Sequence, residues 1–540
     1  MNISTNIRKL TLLFVTFFIA LSGGLVYWQV VVAQRVTQNI HNGRPCLPDS
    51  APDRGRIFDR NGVLLADSKP STTGCGSIRH YYEPSLAGLI GYYAGPNYPS
   101  TGIEHLYDDY LSGRAGITAL QNTVNQTLHR PPVGDDIYLT IDVRIQRLVN
   151  QHFDDPINID NFLTFASDRG SVVVSDPHTG GILAMLSRPS FDPNKLVSTL
   201  QSGDQAYFNQ LVHDPEQPLL ERPLNALYPP GSTYKTVTLM AGLDSGKVNL
   251  NDQFDQQHAI GPIFVNGQPI GPIGNNLQPY TIRFPVTTEY GFAHSDNVIF
   301  AQVGLKTGQS TWLDYNNRFF LGQQQNHFVD RDLPFTPSSV QTNGQPLSDN
   351  ELAANAFGQG IDNISPMQMS LFDNVVANDG QLMKPMLVSQ ITDRTKNPLQ
   401  VNQSQATGSA VSSQTATQVR QAMFGVVRCG SGLLVTDLFT STSAIIGKTG
   451  TAELGGKLNA DGWLITQAPY SVNNPTQLPA LTIIAMKENA GEGGLAVGPM
   501  VAHIYNDIFA NGYVKVQVPT PPGQSYCCTT QLLQQGCVAP

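Results

Sequence analysis

The feature that most constrains this chain is an uncharged run near its start. After MNISTNIRK, residues 10–32 read LTLLFVTFFIALSGGLVYWQVVV, without a single Asp, Glu, Lys or Arg. As a helix, such a run is long enough to cross the ~30 Å hydrocarbon layer of a bilayer. A cleaved signal peptide is the competing reading, because Val31-Val32-Ala33 resembles a small-residue cleavage site. The apolar region of a signal runs only about 7–15 residues, however, so an uncleaved anchor is expected over 10–32. Arg8 and Lys9 on its N-terminal flank favour a cytoplasmic N-terminus. No later stretch is apolar enough to span, which puts the rest of the chain outside the cytoplasm.

That remainder is too long for one ordinary domain. Of the 540 residues 40% are hydrophobic, ample for a core, and only 14% are charged. A formal net charge of −9 argues against a broad phosphate-binding surface and excludes nucleic acid as an expected partner. The six cysteines would meet an oxidising compartment, and their spacing leaves connectivity open. Cys46 and Cys75 share a juxtamembrane region and make the best single pair, Cys429 stands alone in VVRCGSG, and Cys527, Cys528 and Cys537 sit in the tail. No His or further Cys completes a zinc set there, so neither a metal nor a cofactor is expected.

Residues 33–50 read as a linker. RGRIFDRNGVLLADS (54–68) then reads as a hairpin, with Asn61-Gly62 supplying positive-φ turn residues. TGIEHLYDDYLSGRAG (101–116) reads as a short helix ending at Gly113, on which His105, Asp108 and Asp109 form a solvated face rather than a metal site. DIYLTIDVRIQRLVNQ (136–151) passes from strand to amphipathic helix. GSVVVSDPHTGGILAMLS (170–187) is a second hairpin, and PALTIIAMKE (479–488) a strand. In GPMVAHIYNDIFANG (498–512), Val501, Ile504, Tyr505 and Ile508 recur at helical spacing. Strands at both ends with helices between predict an α+β domain whose sheet joins distant segments.

Three short motifs could carry chemistry, and two of them occur twice. Ser-x-x-Lys occurs once, as Ser232 and Lys235 in YPPGSTYK, where a helix is expected from Gly231 to about Gly242. Residues i and i+3 share a helix face, so the amine can reach the hydroxyl. Backbone N–H groups at a helix start can stabilise an oxyanion. Ser-Asp-Asn occurs at 295–297 and 348–350. Ser348 with Glu351 before an apolar stretch is a capping box, which accounts for the second copy structurally. At the first copy Val298 stands where a capping Glu would, so Ser295 and Asn297 are the better candidates, although Ser295 could be a plain N-cap. Lys-Thr-Gly occurs at 306–308 and 448–450. Lys306 falls in the last turn of an apolar helical pattern with Gly308 just beyond, a normal helix ending. In TSAIIGKTGTAE the β-branched run predicts a strand edge, offering the cation of Lys448, hydroxyls and backbone N–H groups to one ligand.

Ser232-x-x-Lys235, Ser295-x-Asn297 and Lys448-Thr449-Gly450, in that order, match the penicillin-binding protein and serine β-lactamase superfamily. DRGRIFDRNGVLLA, TGIEHLYDDYLSG, IYLTIDVRIQ, GGILAMLSRPSFDPN, YPPGSTYK, AFGQGIDNISPMQM and GKTGTAE extend the resemblance to class B penicillin-binding proteins over roughly 50–515. The resemblance implies an α+β chain with one N-terminal transmembrane helix and a small, elongated, β-rich pedestal or dimerisation module. A transpeptidase-like domain would follow, with a central antiparallel sheet flanked by helices and an α-helical subdomain. On this basis 1–9 are a cytoplasmic tail, 10–32 the anchor, 33–155 the pedestal-like module, 156–515 the penicillin-binding domain and 516–540 a tail.

It also implies a D,D-transpeptidase. Ser232 would attack the penultimate D-alanine of a peptidoglycan stem peptide, with Lys235 as base, made less basic by burial and neighbouring cations. Ser295 would relay protons, and Asn297 would hold the substrate backbone and Lys235. Lys448, Thr449, Gly450 and Thr451 would bind the terminal carboxylate, and the N–H groups of Ser232 and Thr451 would form the oxyanion hole. β-Lactams would acylate the same serine. A SEDS-type membrane glycosyltransferase is the implied partner, and GQG (358–360) would border the cleft with Trp463 opening a strand beside Lys-Thr-Gly. Two alternatives compete. A β-lactamase needs a water-activating group, for which Glu351 and Asn355 give a mimic pattern already explained by capping. An idle scaffold or β-lactam sensor is disfavoured by three intact motifs and by only nine residues before the anchor.

Overall fold

The computed structural model describes residues 3–27, 32, 53–70, 77–127, 132–155, 157–159, 163–165, 167–270, 284–321, 335–342, 344–455 and 460–520. Its first element is a helix, Ile3–Val26, whose window Lys9–Val26 is apolar enough to cross a membrane and is not buried by protein. The end of the expected span, 28–31, lies outside the described residues.

A six-stranded sheet forms the core of the module that follows. Ile57–Phe58 pairs antiparallel with Leu64–Pro70 as a hairpin, as the sequence implied. Its turn chemistry differs: Gly62 has φ +80° but Asn61 is not left-handed. Asp59 makes the turn instead, its Oδ1 accepting from the N–H groups of Asn61 and Val63, both at 2.8 Å. A short polar side chain bonding backbone two residues on can replace a positive-φ pair. The expected helix over 101–116 is broken at Tyr107 into Gly102–Leu106 and Asp108–Leu111, with Gly113 at φ +67°. Its acidic residues are not merely solvated. Glu104 is fully buried between Arg54 (2.7 Å) and Arg79 (2.6 Å), and Asp108 pairs with Arg54 and Arg114. Strand Asp136–Leu139 leads through the N-cap Asp142 into helix Val143–His152. Ser77–Tyr81 pairs with Leu64–Pro70, and the last two strands come from about 250 residues further along: Val388–Thr392 pairs onto Asp136–Leu139, and Pro398–Val401 onto Val388–Thr392. The two regions therefore share a sheet.

The second sheet has five antiparallel strands in the order 446–452, 461–468, 481–487, 170–175, 182–188. Both its faces are buried, so even its polar side chains, Lys448, Gln467 and Lys487 among them, are enclosed, and successive residues alternate sides with period two. Val172, Val174, Ile483 and Ala485 pack with Val501, Ile504, Tyr505 and Ile508 of the C-terminal helix Gly493–Ala510. Val173, Ile484 and Met486 face the other way, into the core containing Met367, Met369 and Phe372 of helix Pro366–Ala377. The C-terminal helix begins five residues before the apolar pattern predicted. Gly493 permits this, since a Cβ there would stand 1.8 Å from the carbonyl oxygen of Gly450.

Of the expected cysteine arrangement, Cys46, Cys75, Cys527, Cys528 and Cys537 lie outside the described residues. Cys429, read as standing alone, is disulfide-bonded at the end of helix Ser413–Cys429.

Candidate active site

Ser232 sits where the chain turns sharply from Pro229-Pro230 into a helix. Gly231 has φ +55°, and a Cβ on it would come within 2.6 Å of the carbonyl oxygen of Thr451. The expected helix from Gly231 opens with a 3₁₀ turn, Gly231–Tyr234, before the α-helix Lys235–Asp244. In a 3₁₀ turn residues i and i+3 eclipse. Lys235 Nζ accordingly lies 2.8 Å from Ser232 Oγ. Thr233, Tyr234 and Lys235 are fully buried while Ser232 stays partly open.

The first Ser-Asp-Asn copy closes the other side. Ser295 has φ +62°, a sparsely populated conformation for a residue with a side chain. It is not the N-cap. Asp296 caps helix Asn297–Thr307, accepting from the N–H of Ile299 at 2.9 Å. The left-handed turn directs both oxygens of Ser295 at Lys235 Nζ, its carbonyl at 2.7 Å and its hydroxyl at 3.2 Å. Asn297 Oδ1 accepts from the same amine at 2.6 Å.

Lys448 completes the cluster from the edge strand Ile446–Ala452. Its Nζ lies 2.9 Å from Ser295 Oγ and donates to the carbonyl of Thr449 at 2.9 Å. One hydroxyl thus joins the two lysines. Gly450 lies opposite Trp463, within the strand Asp461–Ala468 expected there, and a Cβ on it would press to 2.8 Å of Thr233. The Thr451 carbonyl faces away from the sheet and accepts from Gln359 Nε2 at 3.0 Å. A strand residue points its N–H and C=O to the same side at a position not bonded across the pair. The Thr451 N–H therefore faces the same side as Ser232. Thr449 Oγ1 is 2.7 Å from Ser431 Oγ.

Burial sets the charges. It drives Lys448 well below the ordinary lysine range, with Lys235 adding repulsion. Burial lowers Lys235 as well, to about 7, but in place of the neighbouring cations expected to help, the carboxylate of Asp296 partly offsets the desolvation. His294, stacked on Tyr290 at 4.2 Å between ring centres, is pushed down to about 4 by burial and by Lys448. Two buried amines around one hydroxyl favour a cluster with few full charges.

The decoy motifs lie elsewhere. Lys306 is in the last turn of helix Asn297–Thr307, half exposed and paired with Asp252 at 2.7 Å, with Gly308 at φ +79° ending the helix. Ser348 and Glu351 form a complete capping box. Asn355 donates to Val340 and accepts from Ile361, and is equally absorbed by structure. Ser365 caps helix Pro366–Ala377 with Pro366 at N1, accepting from the Gln368 N–H at 3.1 Å, while Gln368 Nε2 donates to the Phe319 carbonyl. Gly358 has φ +80° and its carbonyl accepts from the Gly231 N–H at 3.0 Å, so GQG is a turn against the Ser232 loop. Sequence reasoning did not single out His294, Asp296, Gln359 or Ser431. Asp296 had a signal, standing three residues before Ile299 as a capping residue would.

The penicillin binding protein transpeptidase domain matches residues 170–508, and the penicillin binding protein A dimerisation domain matches residues 54–137. The chain belongs to the penicillin-binding protein transpeptidase family. Within it, this is a class B protein. It is similar to peptidoglycan D,D-transpeptidase PbpA of Mycolicibacterium smegmatis, 27% identical over 522 residues, covering 92% of this chain and 96% of that one. It is also similar to peptidoglycan D,D-transpeptidase MrdA of Escherichia coli, 27% identical over 458 residues, covering 78% of this chain and 66% of that one. Among solved structures, penicillin-binding protein A from M. tuberculosis as its penicillin G acyl-enzyme superposes with TM-score 0.72 at 26% identity, covering 85% of this chain and 100% of that chain. The class B architecture expected from the sequence is the one found: an N-terminal apolar helix, a dimerisation-type module, and a transpeptidase domain with an antiparallel sheet flanked by helices.

Proposed function

We propose that this chain is a membrane-anchored serine D,D-transpeptidase that cross-links peptidoglycan stem peptides through an acyl-enzyme on Ser232. The observation that carries the reading is the set of partners around Lys235 Nζ. Asn297 Oδ1 and the Ser295 carbonyl can only accept, at 2.6 and 2.7 Å. A neutral amine has two N–H groups, which these two acceptors occupy, leaving its lone pair for the hydroxyl of Ser232 at 2.8 Å. Burial keeps that amine neutral enough to act as base.

The steps follow from this arrangement. Lys235 takes the proton as Ser232 Oγ attacks the carbonyl carbon of the penultimate D-alanine. The oxyanion gathers between the N–H groups of Ser232 and Thr451. The N–H groups opening a helix have no partner within it, which suits Ser232 to the task. Lys448, Thr449, Gly450 and Thr451 hold the terminal carboxylate, and Ser295, touching both amines, passes the proton to the leaving nitrogen. D-Alanine departs, and an amine from a neighbouring strand attacks the ester to form the cross-link. A β-lactam enters as the donor does and forms the same ester.

On this reading the helix Ile3–Val26 is a membrane anchor with Arg8 and Lys9 on the cytoplasmic side. Residues 33–155 form the pedestal-like module, 156–515 the penicillin-binding domain and 516–540 a tail. A SEDS-type glycosyltransferase that polymerises glycan in the same membrane is the proposed partner. The test is release of D-alanine and formation of cross-linked product from a polymerised pentapeptide substrate by the full chain in detergent. Ser232→Ala must abolish both, and persistence of either contradicts the proposal.

A further inference from the structure

A second titratable cluster lies away from the reacting groups, where two helices cross behind the sheet. His152 ends helix Val143–His152 and Asp155 follows within one turn. His503 and Asp507 stand four residues apart on the C-terminal helix Gly493–Ala510, and so on one face. His503 is ten residues beyond Gly493, the end that touches Gly450, or about 15 Å further along the helix.

The contacts are close. Asp155 Oδ2 is 2.7 Å from His152 Nδ1 and 2.8 Å from His503 Nδ1. His152 Nε2 is 2.8 Å from Asp507 Oδ2. The ligand atoms of His152, Asp155 and His503 all lie within 4.8 Å of one another. His152 is therefore flanked by a carboxylate on each ring nitrogen, although a neutral imidazole carries only one N–H. In the tautomer whose Nε2–H goes to Asp507, Nδ1 presents its lone pair towards Asp155 and His503. A carboxylate on the far nitrogen of a histidine is the usual support of a metal-ligating imidazole.

Charge points the same way. Asp155 and Asp507 bring two carboxylates to the cluster. Of the cations packed nearby, Arg188 pairs with Asp154 at 2.5 Å, while Lys487 donates to the Phe153 carbonyl at 2.8 Å and reaches Asp155 only through its field. A divalent ion balances the pair.

We propose that His152 Nδ1, His503 Nδ1 and Asp155 Oδ2 form a structural binding site for a divalent transition metal of zinc type, oriented by Asp507 through His152. Two imidazoles and one carboxylate are a zinc-type donor set, with water as the fourth ligand in a tetrahedron. The ion would tie the helix backing the Lys-Thr-Gly strand to the helix leaving the N-terminal sheet. Sequence spacing gives no hint of it, because the ligands come from positions 152, 155 and 503.

The test is equilibrium dialysis of the full chain in detergent against zinc(II), with cobalt(II) as spectroscopic probe. One tight equivalent per chain is expected, with the visible bands of tetrahedral cobalt. His503→Ala should lose that equivalent and those bands, and Asp507→Asn should weaken binding about 10–100-fold. Penicillin acylation equal to wild type certifies that each variant is folded. Failure of the wild type to bind, or equal binding by wild type and both variants, overturns the proposal.

Discussion

The same three letters, Lys-Thr-Gly, occur in two places in this molecule and do two different jobs. At 306–308 the lysine closes a helix, half exposed and paired with Asp252, and the glycine takes φ +79° to end it. At 448–450 the lysine is fully buried on a strand edge, sharing the hydroxyl of Ser295 with Lys235. The tripeptide is identical, so the difference lies in what precedes it. Asn297–Leu305 has helix-compatible apolar spacing, whereas Ile445-Ile446-Gly447 runs into a sheet that seats each residue opposite a partner. The two Ser-Asp-Asn copies repeat the lesson: one caps a helix through Asp296 while Ser295 and Asn297 hold a buried amine, and the other only caps a helix. A motif acquires chemistry from the element that carries it.

That contrast can be broken by substitution. Lys448→Ala should slow acylation by penicillin at least about 100-fold, in the range for losing one preorganised donor, while Lys306→Ala should leave the rate within about twofold. Measured second-order acylation rates decide it, and similar losses in both would end the distinction. Asn297→Ala removes an acceptor from Lys235 and should cost about 10–100-fold in the same assay, being one part of a general base worth 10²–10⁴. Asn350→Ala, in the decoy copy, should cost nothing there.

Acidity sharpens the picture. Lys235 must be neutral to take the proton of Ser232, and burial lowers its pKa, so acylation should fall as pH drops and the amine is protonated. Asp296 raises that pKa and also caps its helix. Asp296→Asn keeps the cap and should move the acid limb of the pH–rate profile to lower pH. Movement upward would mean that Lys235 is not the group being read. The smallest effect is expected at Ser348→Ala, which should lower stability by about 1 kcal/mol in denaturant unfolding and leave acylation unchanged.

Much of this was legible because local patterns and tertiary needs agree. The capping box at Ser348, the helix ending at Gly308 and the strand containing Trp463 are local statements, and each is where its residues imply. What was not legible depends on partners distant in sequence. The hairpin of Val388–Thr392 and Pro398–Val401 joined the N-terminal sheet because Asp136–Leu139 offered its first strand an edge, and nothing within 388–401 names that edge. GEGG before 495 reads as a loop, yet Gly493 is helical because only glycine fits against Gly450. Asp59 displaced Asn61 as the maker of its turn by offering the carboxylate to two N–H groups. His294, just before the Ser-Asp-Asn motif, and Asp296, its middle residue, matter through burial beside two lysines, which the local sequence does not encode.

The most direct test of the central claim is intact-mass analysis of the full chain after penicillin G, with peptide mapping of the adduct. One penicilloyl group on the peptide containing Ser232, and none on Ser232→Ala, is the predicted result. An adduct on any other residue, or acylation that survives Ser232→Ala, would contradict the account.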